Sequence, residues 1–366
     1  MIYKICLFAL AFFLQFTLPP NIASADAPFN IGVVVPLTGP TADYGVAIQN
    51  SINLAVKDRP ELFADIKFNY EDAQGNPSNA VSAFNKLLAA NQMKISLTWG
   101  VAFCKALAPI AEGRKVPLVG LCLDPTAASN RRYVLRFKNT TDEIMATQAK
   151  YLLKNGVKKI GLIQSEHPYF EELTEALQRN LLEGQTLTII DQVPTTQLDL
   201  RPSILKIKNK LSDYDSVGVF LWIGQVANFY RQLKELSINL PTFGSDLFES
   251  ISEIKAANGL MDGIPFSGIE IRPEFIKRYK AIYHSESQLA FGAPAYEFAI
   301  TVGELFGKNS ANLSAEEIVN KFSLVSPRPG VAAGPYKYIN DSKVGQYFQF
   351  PIVIKKIKGD AFEIAQ

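Results

Sequence analysis

The feature that most constrains the fold of this chain is a repeated alternation of short apolar runs with segments of helical periodicity. The first run, Asn30 to Pro36, is followed by a helical segment at Thr41–Lys57 and by a second apolar run at Ile66–Glu71. Short β-branched runs between helical segments are typical of parallel strands that are buried on both faces. The pattern therefore predicts an α/β fold built from consecutive strand-helix units.

The same unit recurs after residue 142, which indicates a second lobe. A helix at Glu143–Lys154 leads into a predicted strand at Lys159–Gln164, and the alternation ends in a closing strand near Gln346–Lys356. No Ser/Gly-rich or Pro-rich tether separates the halves, so we expect crossing segments that act as a hinge. Lobe 1 is predicted to comprise residues 26–141 and 269–346, and lobe 2 residues 142–268 and 347–366.

Residues 1–25 have the pattern of a cleavable signal peptide. A short basic start precedes an apolar run from Ile5 to Leu18 and the sequence Ala23-Ser24-Ala25, a small-residue pattern that signal peptidase recognises. Pro19 and Pro20 keep the apolar run below the ~20 residues of a spanning helix. We therefore expect cleavage after Ala25 and a mature protein in the periplasm, with an uncleaved membrane anchor as the alternative.

Composition and motifs argue against several functional classes. The 37 Lys and Arg residues nearly balance the 35 Asp and Glu residues, so nucleic acid is not an expected partner. The sequence contains no dinucleotide fingerprint, phosphate-binding loop, H-E-x-x-H zinc motif or G-x-S-x-G nucleophile elbow. The two cysteines and two histidines of the mature chain lack the spacing of a zinc site. We expect neither an enzyme nor a bound cofactor or metal.

The cysteines of the mature chain, Cys104 and Cys122, both follow predicted strands of lobe 1. An oxidising compartment permits a disulfide, but a bridge requires Cα atoms within ~7 Å of each other. The sequence leaves a bridge and a pair of free thiols open. An enzyme that uses one of these thiols with His167 is a further alternative.

Residues that directly follow the predicted strands mark the expected ligand site, because ligands of open α/β sheets bind beyond the carboxyl ends of the strands. These positions combine aromatic and small residues with few catalytic types, a mixture typical of small-molecule pockets. The loops are Leu37–Gly45, Asp72, Gly100–Lys105, Cys122–Asp124, Ser165–Tyr169, Trp222–Gly224 and Gly244–Asp246.

Several short motifs occur in a characteristic order along the mature chain. They are PLTGP at 36–40 with Tyr44-Gly45, Glu71-Asp72 with Pro77, Gly100 with Pro109, Arg136-Phe137 before Asp142, Tyr169 at a helix start, and Phe243–Asp246. In this order they resemble the leucine/isoleucine/valine-binding proteins, the periplasmic solute-binding components of amino-acid ABC importers. The resemblance implies a type I periplasmic-binding fold, in which two lobes joined by three crossovers close on a ligand.

The resemblance also implies roles for individual residues. Tyr44 would pack against the ligand, with Tyr169 and Trp222 approaching from the opposite lobe. Asp246 stands where a family acid receives the ligand ammonium, and Cys104 stands where the family uses a serine for the ligand carboxylate. In the family, hydroxyl side chains bind the carboxylate of an amino acid. Because they are replaced here, a simple aliphatic amino acid is disfavoured.

Phe103, Lys105 and Asp124 complete the predicted ligand site. Phe103 is expected to wall the site, and Lys105 lies at a predicted helix start that favours an anion. Asp124 is expected to add a second negative group from lobe 1. The sequence leaves open a solvated Lys105, a turn or capping role for Asp124, and core packing for Tyr44 and Trp222.

These patterns and the resemblance predict a monomeric periplasmic solute-binding protein. It would capture a small polar ligand that is amino-acid-like or carries an amine or amide, with Asp246 as the main polar anchor. Its partner would be the membrane permease of an ABC importer. A ligand-sensing subunit of the same fold, which signals to a receptor or kinase, is the alternative.

Overall fold

Two seven-stranded sheets organise the chain. The computed structural model describes residues 28–91, 93–308, 310 and 312–365, and the predicted signal peptide lies outside these ranges. The strands are β1 (Phe29–Val35), β2 (Ile66–Asp72), β3 (Ile95–Trp99), β4 (Leu118–Leu121), β5 (Val134–Arg136), β6 (Lys159–Ser165), β7 (Thr186–Val193), β8 (Ser216–Phe220), β9 (Thr242–Gly244), β10 (Pro265–Ile269), β11 (Lys337–Asp341), β12 (Gly345–Gln349), β13 (Ile352–Lys358) and β14 (Ala361–Ile364). The α-helices are α1 (Ala42–Asp58), α2 (Pro77–Asn91), α3 (Val101–Arg114), α4 (Thr141–Lys154), α5 (Pro168–Arg179), α6 (Arg201–Lys208), α7 (Gln225–Glu235), α8 (Ile251–Ala257), α9 (Pro273–Tyr283), α10 (Leu289–Phe306) and α11 (Ala315–Ser323).

Each sheet is the centre of one lobe. The first has the strand order β11-β12-β5-β4-β3-β1-β2, and the second has the order β14-β13-β10-β9-β8-β6-β7. Strands pair in parallel except at one edge of each sheet, where the pairs β11–β12, β10–β13 and β13–β14 are antiparallel. Strand β8 is buried along its whole length, as a strand covered on both faces must be. The predicted two-lobed α/β fold is confirmed.

Helix α10 is the most extensively buried helix of lobe 1, since it packs against α1 and is covered at nearly every position. Helix α10 is therefore apolar because it lies in the core of lobe 1. Among the described residues, no helix is long and apolar enough to cross a membrane.

The chain passes between the lobes three times, at residues 137–140, 270–272 and 350–351. Hydrogen bonds join these crossing segments. The Asn139 Nδ2 donates to the Phe350 carbonyl at 2.9 Å, and the Phe350 N–H donates to Asn139 Oδ1 at 3.2 Å. The Glu270 N–H donates to the Pro351 carbonyl at 2.9 Å. The three crossings thus form one linked hinge region.

Strand pairing changes from one sheet to the other a few residues away from the predicted lobe boundaries near residues 346 and 269. Strand β12 pairs with β11 in the first sheet through Gln349, whereas β13 pairs with β10 in the second sheet. Residues 346–356 are therefore two strands separated at Pro351, which has no N–H to donate to a ladder. Ile269 pairs with Ile352 in the second sheet, so it belongs to lobe 2.

Candidate ligand-binding site

A cavity of about 100 Å³ lies between the two lobes, at the carboxyl ends of strands from both sheets. Lobe 1 contributes residues that follow β1, β2, β3 and β4 together with Phe291 of α10, and lobe 2 contributes residues that follow β6, β8 and β9. Parallel sheets place ligands at this edge. Seven aromatic side chains line the cavity: Tyr44, Trp99, Phe103, His167, Tyr169, Trp222 and Phe291.

Four of these rings form a continuous lobe-1 wall, consisting of Tyr44, Trp99, Phe103 and Phe291. The Tyr44 ring centre lies 4.6 Å from that of Trp99 and 5.4 Å from that of Phe291. Phe103 packs edge-on against Trp99 at 5.8 Å, a separation at which aromatic rings attract each other. Gly100 has a φ of 75°, which glycine adopts without strain, and it allows α3 to begin directly after β3.

Three rings form the lobe-2 wall, consisting of His167, Tyr169 and Trp222. The His167 ring stacks on Trp222 with 4.6 Å between centres and 26° between planes. Its Nδ1 accepts a hydrogen bond from the Tyr169 main-chain N–H at 3.2 Å, which caps α5. Burial lowers the pKa of His167, so the ring is neutral at physiological pH.

Asp246 places a carboxylate at the cavity and is only 7% exposed. It begins the short 3₁₀ turn Asp246–Glu249, which Ser245 caps by accepting a hydrogen bond from the Leu247 N–H. The Tyr169 hydroxyl donates a hydrogen bond to Asp246 Oδ1. Burial, followed by the negative charge of Asp246, raises the pKa of Tyr169 well above its ordinary value. Tyr169 therefore stays protonated and serves as a donor.

With His167 neutral, Asp246 carries the only charge among the described residues that line the cavity. A buried cation, Lys138 of the first crossing segment, lies behind the lobe-1 wall and is 1% exposed. Its Nζ is 3.4 Å from the centre of the Phe291 ring and donates to the Ala290 carbonyl at 3.0 Å. Lys138 is also close enough to Asp246 for the negative charge of that carboxylate to act on its pKa.

Lys138 should make stability depend on pH. Burial lowers the pKa of Lys138 to about 8, with Lys355 acting in the same direction and Asp246 and Glu249 opposing it. An unfolded lysine keeps its proton up to about pH 10, so the unfolded state binds more protons between pH 8 and 10 and stability rises with pH there. Urea unfolding across this range should show that Lys138→Met removes the rise, whereas the exposed Lys337→Met retains it. Equal slopes in Lys138→Met and the wild type would contradict this assignment.

Three polar side-chain atoms beside the cavity have no hydrogen-bond partner within the described part of the chain: Thr41 Oγ1, Tyr44 Oη and Trp99 Nε1. Helix α3 also begins at the cavity without a side-chain cap, which leaves the N–H groups of its first turn available. Buried polar groups are normally satisfied, so these groups are positioned to bind a ligand. The indole N–H and the helix start favour a hydrogen-bond acceptor there.

The structure separates the eight predicted site residues into two groups. Those that line the cavity are Tyr44, Phe103, Tyr169, Trp222 and Asp246. Those placed outside its lining are Cys104, Lys105 and Asp124. Successive residues of a helix are rotated by about 100°, so the first turn of α3 directs residues 101–103 to the cavity and the following two residues elsewhere.

Asp124 has the capping role that the sequence left open. It is fully buried and caps the 3₁₀ turn Pro125–Ala127, where it accepts hydrogen bonds from the Thr126 N–H and hydroxyl at 2.7 Å each. Its Oδ2 lies 2.9 Å from Lys105 Nζ. Burial acts to lower the pKa of Lys105, but this carboxylate outweighs it and the pKa is raised. The two predicted charges therefore neutralise each other.

Cys104 and Cys122 are buried free thiols that belong to one small cluster. Their sulfurs lie 2.7 and 3.0 Å from the point that a Cβ at Gly120 would occupy. Burial, followed by a hydrogen bond with Cys122, raises the pKa of the Cys104 thiol well above its ordinary value. This thiol stays protonated, which makes it unsuited to nucleophilic catalysis. The described cavity lining includes Cys122 but not Cys104.

Known proteins share this sequence pattern and architecture. The sequence profile described as "Periplasmic binding protein" matches residues 28–340. The Leu/Ile/Val-binding protein BraC3 of Rhizobium johnstonii is 26% identical over 241 residues, which span 61% of this chain and 62% of that relative. The chain thus matches less than two thirds of the length of this curated relative.

Solved structures extend the likeness to almost the whole described chain. A leucine-binding protein from Thermotoga maritima has a TM-score of 0.80 at 18% identity, covering 92% of this chain and 97% of that chain. A branched-chain amino acid transporter substrate-binding protein from Streptococcus pneumoniae, in complex with isoleucine, has a TM-score of 0.79 at 17% identity, with 92% and 99% covered. An ABC-transporter solute-binding protein from Rhodopseudomonas palustris, in complex with 3,4-dihydroxybenzoic acid, has a TM-score of 0.77 at 19% identity, with 92% and 96% covered. At these identities the likeness shows the fold.

Proposed function

Because the chain belongs to the periplasmic binding protein family, we propose that it captures a small amine, ammonium or amide compound and delivers it to the membrane permease of an ABC importer. Proteins of this family bind solutes and are not enzymes. The observation that carries the proposal is Asp246, a buried carboxylate in a cavity between two lobes whose described lining contains no Lys or Arg. We also propose that the chain is exported to the periplasm by its signal peptide and acts there as a monomer.

The charge of Asp246 supports a ligand with a cationic or hydrogen-bond-donating nitrogen. Burying a carboxylate is costly unless it is paired or fully hydrogen-bonded. Tyr169 supplies one hydrogen bond to Oδ1, and no Lys or Arg is present among the described cavity residues. A ligand nitrogen beside Oδ2 would provide the missing donor or countercharge.

The unpartnered donors beside the cavity support an acceptor group on the same ligand. The uncapped start of α3 and the indole N–H of Trp99 are donors, and the hydroxyl of Tyr44 can donate as well. A carboxylate or hydroxyl on the ligand would satisfy these groups. An amino-acid-like zwitterion therefore matches both the carboxylate of Asp246 and these donors.

The ligands named for related proteins are also small molecules. Relatives include Leu/Ile/Val-binding proteins, and solved structures of the same fold contain isoleucine or 3,4-dihydroxybenzoic acid. The aromatic walls of this cavity and the buried Cys104, which replaces the family serine, disfavour a simple aliphatic amino acid. We propose that the ligand contacts both walls and thereby stabilises a closed arrangement of the lobes, with motion at the three crossing segments.

Loss of the Asp246 carboxylate should weaken binding of the ligand. A thermal-shift screen of amino acids, amines and amides identifies the ligand, since ligand at ~100 times its Kd adds about 2.7 kcal/mol of stability. Calorimetry with Asp246→Ala should then show a loss of several-fold to a few hundred-fold in affinity, because a hydrogen bond to a charged group contributes ~1.5–3 kcal/mol.

Asp213→Ala is the matched control, since Asp213 is an exposed acid ahead of β8, at the opposite end of the second sheet. This variant should bind the ligand as the wild type does. Unchanged affinity in Asp246→Ala, or tight binding of a plain dicarboxylate, would contradict the proposed function.

A further inference from the structure

We infer that the cavity selects an N-methylated ammonium compound, in which the positive charge is covered by methyl groups. This inference rests on the proposed function and specifies the chemical class of the ligand. It combines three observations: two aromatic walls from different lobes, a single buried carboxylate, and a small cavity volume.

The two aromatic walls are separate bodies that face the same space. Ring contacts run within each wall, as in the Tyr44–Trp99 pair and the His167–Trp222 pair, both with 4.6 Å between centres. Among the described aromatic residues, no ring of the lobe-1 wall stacks on a ring of the lobe-2 wall. A ligand between the walls therefore contacts aromatic rings from both lobes.

Ring faces attract cations, and the protein already uses this contact at the edge of the cavity. Lys138 Nζ lies 3.4 Å from the centre of the Phe291 ring, and Lys138 itself is not part of the described cavity lining. Methylated ammonium groups are well suited to such surroundings, because their charge is spread over methyl groups that contact ring faces.

The small number of charged hydrogen-bond acceptors also favours methylation. A primary ammonium brings three N–H donors, each of which needs an acceptor when water is excluded. Asp246 is the charged acceptor of the described cavity lining, and its Oδ1 already accepts from Tyr169. Methyl groups replace N–H donors and leave the charge, so Asp246 still attracts the ligand. A cavity of about 100 Å³ has room for one compact group of this kind.

A methylation series tests the inference on the unmodified protein. Glycine, N-methylglycine, N,N-dimethylglycine and N,N,N-trimethylglycine share one carboxylate, one chain length and one net charge at neutral pH. Calorimetry should show affinity rising along the series, by about tenfold or more from the first member to the last, as a desolvated cation–π contact requires. Equal or tighter binding of glycine, or no binding of trimethylglycine at millimolar concentration, would overturn the inference.

Substitutions of Trp222 test whether the gain in affinity from methylation comes from an aromatic ring. Trp222→Leu keeps an apolar side chain but removes a ring face, so the gain from methylation should largely disappear, whereas Trp222→Phe should retain most of it. Tyr214→Leu removes a ring that packs against the core of lobe 2 near Gly161, outside the described cavity lining. This control should leave the gain in affinity from methylation unchanged. A full gain in a folded Trp222→Leu protein would overturn the assignment.

The outcomes also separate this inference from the proposed function. If a primary amine binds tightly in an Asp246-dependent way and methylation weakens it, the inference fails and the proposed function stands. If the protein binds only compounds without a donor or cationic nitrogen, both fail.

Discussion

Lys355→Met is expected to destabilise the protein by about 3–5 kcal/mol in urea unfolding, because it leaves a buried carboxylate without its partner. Lys355 on β13 lies with its Nζ 2.5 Å from Glu249 Oε1, and the two side chains are 1% and 0% exposed. Glu249 ends the 3₁₀ turn that begins at Asp246. The ion pair therefore also fixes the turn that presents Asp246 to the cavity.

Two further variants test whether the loss of stability comes from the unpaired buried charge. Glu249→Leu combined with Lys355→Met removes both charges and should recover most of the lost stability, since apolar replacement of a whole buried pair is often neutral. Lys358→Met, on the same strand as Lys355, breaks an exposed pair with Glu363 of β14 and should leave stability almost unchanged. A single Lys355→Met variant as stable as the wild type would refute the argument.

The pH dependence of the Lys355→Met variant provides an independent check. Burial raises the pKa of Glu249, while Lys355 and Lys138 oppose this rise. Removing Lys355 should raise the pKa of Glu249 further. A carboxyl whose pKa is higher in the folded state binds more protons when folded, so stability falls as pH rises above about 4.3. The loss relative to the wild type should therefore be larger at pH 8 than at pH 5.

The two-lobed fold could be predicted from sequence because each buried parallel strand is a short apolar run with a helix after it. The break at Pro351 could not be predicted in the same way, since β12 and β13 have similar apolar character and only their pairing partners assign them to different sheets. Strand pairing is a long-range property, and the periodicity of a single segment does not contain it.

The expectation that ligand-binding residues directly follow strands, the strand-end rule, pointed to Asp246 and Trp222. It gave no information on the direction of a side chain. Cys104 and Lys105 follow β3 in sequence, yet α3 has already begun there and turns them away from the cavity. Asp124 also follows a strand, and its local capping geometry competes with a role in the cavity. The position of a residue after a strand determines the edge of the sheet at which it lies. The rotation of the helix determines whether its side chain lines the cavity.

Two important residues lie where the strand-end rule does not apply. Phe291 reaches the cavity from α10, and Lys138 lies in a crossing segment behind it. Their contact joins parts of the chain about 150 residues apart, as the separation of 152 residues between Lys138 and Ala290 shows. The only local signal was the lysine itself, directly after the motif Arg136-Phe137.

Helix α10 also supports the second crossing segment through Glu297, which is 2% exposed. Its Oε1 accepts hydrogen bonds from three consecutive main-chain N–H groups, those of Val331, Ala332 and Ala333, at 2.5, 2.6 and 3.2 Å. This loop is joined to the crossing segment, because the Arg272 N–H donates to the Ala332 carbonyl at 2.8 Å. Glu297 thus supplies the hydrogen-bond acceptor for three consecutive amides beside the hinge, of which those of Ala332 and Ala333 are buried.

Glu297→Ala is therefore expected to lower the free energy of unfolding by at least about 2 kcal/mol, because each of the two buried amides left without a partner costs ~1–3 kcal/mol. Glu297→Gln keeps a carbonyl oxygen in the same place and should cost much less, so the comparison isolates the acceptor from the charge. Urea unfolding of both variants measures the difference, and hydrogen exchange of the amides at 331–333 should accelerate in Glu297→Ala alone. Equal stability of the two variants would show that this side chain does not hold the loop against the hinge.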